Sequence, residues 1–151
     1  MNEYHSLTIV HSRSIIILER SDIMNLNKEN SKRTFDKQAI SYDTDIAGEH
    51  ARKLYAPILN LLKQEEFVGS VLDLGCGTGA LLESIYNLNI TEKLSGIDLS
   101  PNMIEEAKNK IGANARLYIG DAENLPFEDD VFNTVICNDS FHHYPSPDKV
   151  I

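Results

Sequence analysis

The apolar positions of this chain keep two different rhythms. Between residues 46 and 62 they fall at Ala47, Ala51, Leu54, Tyr55, Ile58 and Leu62, a spacing that lines one face of a helix. Pro57 inside that stretch marks a kink or a boundary. From residue 71 onward, short apolar runs alternate with helical patterns. VLDL (71–74) reads as a strand, and the segment after it carries Leu81, Leu82, Ile85 and Leu88 on one helical face. LSGID (94–98) reads as a second strand. The next helix opens with Ser100 as N-cap and Pro101 at the first helical position, and buries Met103, Ile104, Ala107 and Ile111. ARLYIGD (115–121) and VFNTVICND (131–139) supply a third and a fourth strand. Strands alternating with helices predict the α/β class, a doubly wound parallel sheet with helices on both faces.

The two ends read differently. Residues 25–37 are polar and charged without a period and are expected to be a loosely ordered arm. The first 22 residues hold two short apolar runs interrupted by His11, Ser12 and Arg13, with no small-residue cleavage site after them. They make a poor signal peptide, and are too short for a membrane span of roughly 20 apolar residues. Met24 opens a polar stretch, so residues 1–23 read as a dispensable upstream extension, without a clear strand partner. The division expected is therefore a poorly ordered N-terminal extension over 1–34 and a domain over 35–151. At the far end, Ser146, Pro147 and Asp148 stand in the order N-cap, first and second helical position, so a helix is begun just before residue 151. The expectation is a domain whose C-terminal part is missing.

Composition narrows the function. With 151 residues, 42% hydrophobic and 25% charged, the chain suits one globular domain. A net charge of -9 and a pI near 4.9 argue against a partner held by many phosphates, so nucleic acid is not expected, nor a membrane. Cys76 and Cys137 lie far apart with no close-spaced partner, which points to a reducing, cytoplasmic setting.

The chemistry concentrates in GCGTGA (75–80), between the first predicted strand and its helix. Gly75, Gly77 and Gly79 let that loop turn tightly and bring bare backbone against a ligand, with N–H groups at the helix start left free to donate. The loop also satisfies the looser dinucleotide fingerprint, with Ala80 last and Asp98 where an acid would grip a ribose, so a nicotinamide-dependent oxidoreductase stays open on these residues alone.

Four segments in order carry a more specific likeness: FDKQAISYD (35–43), VLDLGCGTG (71–79), GIDLSPNMIEEAK (96–108) and GDAENLPFEDDVFNTVICNDSFHHY (120–144). Together they resemble the class I S-adenosylmethionine-dependent methyltransferases, in particular those acting on small molecules. The resemblance implies a Rossmann-like sheet with strand order 3-2-1-4 in this fragment, S-adenosylmethionine as cofactor and a small-molecule methyl acceptor. It implies that Gly75, Cys76, Gly77 and Gly79 line the methionine and ribose portion, and that Asp73 orients the amino group. Asp98 would hold the ribose hydroxyls; removing its carboxylate is expected to weaken binding and leave the fold intact. Leu99 and Met103 would pack near the adenine, while Asp121 and the Ala122 N–H would read its edge. Asn138 would lie under the methionine and Tyr42 would close the site.

Each polar residue has a plainer use: Asp98 can begin a helix, and Asp121 and Asn138 can be turn residues. His142 and His143, near Cys137 and Asp139, match no zinc spacing; one of them is a candidate general base. No catalytic residue is assigned. An incomplete domain that binds cofactor without turnover remains an alternative, and an uncovered fourth strand is expected to promote self-association.

Overall fold

A computed structural model describes residues 7–11, 14–18, 20–65, 69–91 and 93–150. Two short strands, β1 (Leu7–His11) and β2 (Ser14–Leu18), pair antiparallel with each other. Helix α1 (Arg20–Gln38) follows, then a turn, then helix α2 (Glu49–Gln64). The main sheet holds β3 (Val71–Leu74), β4 (Leu94–Asp98), β5 (Arg116–Ile119) and β6 (Thr134–Ile136). All pairings in it are parallel, in the spatial order β5-β4-β3-β6. Counted from the first strand of this sheet, that order is 3-2-1-4.

The central strands form because they are apolar enough to be buried on both faces, as parallel strands must be. Every residue of β3 is buried, Asp73 included. Helix α3 (Ala80–Asn87) drives Leu81, Leu82 and Ile85 into the core. Helix α4 (Pro101–Ile111) starts as its sequence suggests, with Ser100 Oγ accepting from the Met103 N–H at 3.1 Å and Pro101 at the first position. Leu62, Leu81, Leu82, Ile85, Ile104 and Ile111 from α2, α3 and α4 join Val71 and Leu94 in one cluster. The opposite cluster centres on Leu72, Leu74 and Ile97 and is covered by loop residues, among them Leu125, Phe127 and Phe132. Among the described residues, then, the two faces of the sheet are covered unequally, by helices on one side and mainly by loops on the other.

Several local expectations need correction. The stretch read as a loosely ordered arm, residues 25–37, lies within α1, so the expected poorly ordered extension over 1–34 includes a helix. The apolar runs of residues 7–18 are strands that partner each other. The second helix begins at Glu49; Ile46 is 86% exposed in a single turn of 3-10 helix, and Leu54 is 37% exposed. Pro57 lies inside α2 without ending it, on an exposed position. The fourth strand is only three residues long, because Asn133 is occupied on Ser70, its backbone N–H donating to Ser70 O at 2.9 Å. Among the described residues no helix is long and apolar enough to cross a membrane.

Candidate functional site

The carboxyl ends of β3, β4 and β5 open into a cleft of about 760 Å³, counting its mouth, roofed by α1. Its floor is the turn after β3. Gly75, Gly77 and Gly79 all have positive φ, at 70°, 53° and 73°. Gly75 also has no room for a side chain, since a Cβ would lie 2.5 Å from Ser140 Cβ. Gly79 serves packing instead: its Cβ would meet Ala107 Cβ at 3.0 Å, and it lines neither this cleft nor the smaller cavity beside it.

The loop's N–H groups are not free in the way the glycine pattern suggests. Gly75 and Cys76 donate to Ile97 O at 2.8 and 3.1 Å, and Gly79 donates to Cys76 O at 3.0 Å. Gly77 donates to Asp98 Oδ2 at 2.9 Å, while Ser100 N–H donates to Asp98 Oδ1 at 2.9 Å. Asp98 thus ties the glycine loop to the start of α4. Burial raises its pKa, and the two backbone donors oppose that shift. A carboxylate used in this way ties two elements of the fold together, so its removal bears on stability as well as on binding.

Tyr42, Gly75, Gly77, Asp98, Leu99, Met103, Asp121, Ala122 and Asn138 all line the cleft. Asp73 and Cys76 face the smaller cavity, which shares Tyr42, Gly75, Gly77 and Asn138 with the cleft. Cys76 also fills space over Gly96, whose Cβ would lie 2.8 Å from its Sγ. Asp73 is buried with Oδ1 lacking a hydrogen-bond partner, and Asn138 Oδ1 is likewise unpartnered. Desolvation, then the charge of Asp98, pushes the Asp73 carboxyl up to about 8. Asn138 uses its amide nitrogen on Ala51 O at 3.3 Å, which aims the orphan oxygen away from α2. Two acceptor atoms without donors therefore belong to residues lining one small cavity.

Sequence reasoning missed the roof. Lys28, Ser31, Lys32 and Phe35 line the cleft from α1, and their spacing of three and four residues was the available signal. Lys28 Nζ bridges Asp121 Oδ2 at 2.5 Å and Glu123 Oε2 at 2.6 Å. Lys32 pairs with Asp36 at 3.1 Å. Asp36 in turn accepts from Ser100 Oγ at 2.5 Å. Both cations lining the cleft are therefore matched to acids, leaving Asp98 and Asp139 as acids without a lysine partner.

Asp139 has φ +55° and accepts from His50 Nδ1 at 2.8 Å. Of the two neighbouring histidines, His143 lines the cleft, with its ring 5.1 Å edge-on from Phe35, whereas His142 does not. Burial, reinforced by His142, lowers the His143 pKa. Tyr144 donates to Ser140 Oγ at 3.1 Å, and Ser140 donates to Leu74 O at 2.8 Å, fixing the wall opposite α1. Among the described residues no group of three His, Cys, Asp or Glu side chains could hold a metal ion.

Comparison with known proteins bears on the family and the fold. The profile of the family described as "Methyltransferase domain" matches residues 71–151. A malonyl-[acyl-carrier protein] O-methyltransferase of Geobacter sulfurreducens is 27% identical over 127 residues, covering 82% of this chain and 47% of the relative. An uncharacterized methyltransferase of Anoxybacillus flavithermus is 33% identical over 120 residues, covering 76% and 55%. Among solved structures, the PH0226 protein of Pyrococcus horikoshii superposes with a TM-score of 0.58 at 31% identity, covering 68% of this chain and 46% of that one. The chain spans about half the length of the curated relatives it matches.

Proposed function

This chain belongs to the methyltransferase domain family, and from that premise we propose that its cleft binds S-adenosylmethionine and serves methyl transfer to a small-molecule acceptor. The observation that carries this reading is how the glycine loop spends its donors. A nicotinamide dinucleotide needs free N–H groups at the loop and helix start for its pyrophosphate. Here the N–H groups of Gly75, Cys76, Gly77 and Gly79 are all used internally, and the one from Gly77 is held by a carboxylate. With the Asp98 carboxylate held beside the loop, this arrangement favours a cation over a pyrophosphate.

The residues present fit that cofactor. The orphan oxygens of Asp73 and Asn138 are acceptors waiting for an ammonium group. Asp98 retains lone pairs for two ribose hydroxyls beyond its two backbone donors. Leu99 and Met103 give the adenine an apolar flank, and Asp121 with the Ala122 N–H reads its edge. For Asp121 this requires sharing the carboxylate with Lys28.

When bound, S-adenosylmethionine supplies a methyl group already activated on a sulfonium. What the chain adds is position and dryness, and orientation of this kind is worth up to about 7–11 kcal/mol in favourable intramolecular models. Phe35, Tyr42 and Tyr144 wall the cleft beside the glycine loop. His143, kept neutral at pH 7 by its lowered pKa, is the imidazole lining that space and takes the proton of an acceptor that must lose one.

Titration calorimetry with S-adenosylhomocysteine and with NAD tests the assignment. Binding of S-adenosylhomocysteine at least tenfold tighter is expected, and tighter binding of NAD would overturn it. Release of homocysteine-containing product over a panel of small acceptors tests the transfer itself.

A further inference from the structure

Tyr42 sits on a turn, residues 39–48, that apolar burial does little to hold. Its large apolar side chains point outward: Ile40 is 90% exposed and Ile46 86%. Polar contacts set its place instead. On one side Arg52 of α2 donates Nη1 to Tyr42 O and Nη2 to Asp45 O, each at 2.6 Å. There the backbone fits closely, since a Cβ on Gly48 would fall 2.2 Å from Tyr42 O. On the other side Asp43 reaches across to the glycine loop. Its Oδ1 accepts from Thr78 Oγ1 at 2.6 Å, and its Oδ2 accepts from Lys110 Nζ in the last turn of α4. Lys110 Nζ also donates to Thr78 Oγ1 at 3.1 Å, closing the triangle. Thr78 is buried, yet its hydroxyl bonds only outward from its own loop.

We propose that Asp43, Thr78 and Lys110 are positioning residues forming a latch that holds Tyr42 over the cleft, and that opening this latch is how the cofactor enters and leaves. The inference rests on the cofactor reading above. Two features set the latch apart from a general surface tether. Two of its three members are chain neighbours of site residues: Asp43 follows Tyr42, and Thr78 follows Gly77. Tyr42 and Gly77 each line both the cleft and the smaller cavity, so moving the turn away opens both at once. The strength also suits a gate. A triangle of such hydrogen bonds, partly open to water and made or lost as one unit, shifts an equilibrium by roughly tenfold, enough to favour closure and little enough to release.

The test is displacement of S-adenosylhomocysteine from the full chain in stopped flow. Tyr42 and Tyr144 lie in the site and the protein has no tryptophan, so tyrosine emission reports occupancy. Thr78→Val and Lys110→Met should each speed dissociation about tenfold while leaving the melting temperature of the ligand-free chain little changed. The double variant should be no faster than either single, because either loss opens the same latch. Thr78→Ser and Lys110→Arg should keep the slow rate. Wild-type dissociation rates in both single variants, or effects that multiply in the double, overturn the proposal, as does a loss that follows melting temperature alone. Should Thr78→Val fail to fold, Lys110→Met, at a half-buried position near the end of α4, carries the same comparison. Should the unmodified chain not bind S-adenosylhomocysteine, the cofactor reading fails by itself. The latch is then read from amide exchange of residues 39–48, which must accelerate in Lys110→Met for the latch to stand.

Discussion

The buried carboxyl of Asp73 predicts a pH-dependent ligand affinity, and the size of the effect follows from its surroundings. Its carboxyl is buried at the centre of the sheet with Oδ1 unpartnered, and desolvation followed by repulsion from Asp98 brings its pKa to about 8. In the ligand-free protein at pH 7 it is mostly protonated. A ligand ammonium group requires the ionised form, so apparent affinity is scaled by the ionised fraction. That fraction is about one half at pH 8 and about one hundredth at pH 6, which predicts roughly 50-fold weaker S-adenosylhomocysteine binding at pH 6. Tyr55, Cys76 and Tyr42 around it all have raised pKa values and stay neutral through this window. Burial raises Asp98 as well, against the backbone N–H groups that donate to it. Calorimetry at pH 6, 7 and 8, in buffers of different ionisation heat, should show affinity rising with pH and about one proton released per ligand at pH 7. Asp73→Asn should bind weakly and lose most of the slope. Stability carries the opposite sign: a pKa raised on folding contributes stability that is full below about pH 4 and is lost as pH rises through about 8. Asp73→Asn should therefore stabilise the ligand-free chain at pH 8, by roughly 2–5 kcal/mol at about 1.4 kcal/mol per pKa unit with allowance for relaxation. Wild-type affinity that is flat between pH 6 and pH 8 would refute the reasoning.

Other outcomes follow from the same contacts. Asp98→Ala strands the N–H groups of Gly77 and Ser100, and should cost about 1–3 kcal/mol of stability for each buried donor left unpaired, besides weakening cofactor binding; an unchanged melting curve would show that water replaces both bonds. Starting the chain at Met24 should leave affinity nearly unchanged, whereas removing residues 1–38 takes Lys28, Ser31, Lys32 and Phe35 from the roof and should weaken binding at least tenfold, both read by calorimetry. Val135 in β6 is 55% exposed on a strand paired on one side among the described residues, so light scattering over a concentration series should show self-association of the 151-residue chain that Val135→Lys suppresses.

How much could be read beforehand depended on what each segment is buried against. LSGID at 94–98 was legible to the residue, because a central parallel strand must be apolar throughout and must end where the carboxylate of Asp98 meets the loop. Helix α4 was legible at both ends of its argument, since its cap, its proline and its buried face coincide. The glycine loop was legible as a turn but not as a hydrogen-bonded object. Nothing in GCGTGA says that Ile97 O and Asp98 take up its N–H groups, because those acceptors come from the neighbouring strand in parallel register. Helix α1 escaped because apolar periodicity finds helices that pack on apolar cores, and this one turns mainly polar side chains toward a ligand cleft. Its inward residues are lysines, a serine and Phe35, so the stretch reads as solvated.

That polar roof also changes the meaning of the chain's acidity. Read from composition, a net charge of -9 only argues against phosphate-rich partners. In the fold, Asp73 and Asp98 are buried near enough for the charge of Asp98 to raise Asp73, and Lys28 and Lys32 are already matched by Asp121, Glu123 and Asp36. Asp98 at the end of β4 and the titrating carboxyl of Asp73 in β3 therefore have no lysine partner among the described residues, and folding alone leaves both unrelieved. A ligand that brings positive charge and hydrogen-bond donors relieves both at once, by pairing Asp73 and by drawing on the spare lone pairs of Asp98. An anionic ligand would meet the Asp98 carboxylate, with both lysines that line the cleft already paired. The electrostatics of β3 and β4 are thus expected to favour a cationic cofactor over an anionic one, ahead of any contact with adenine, which both classes share.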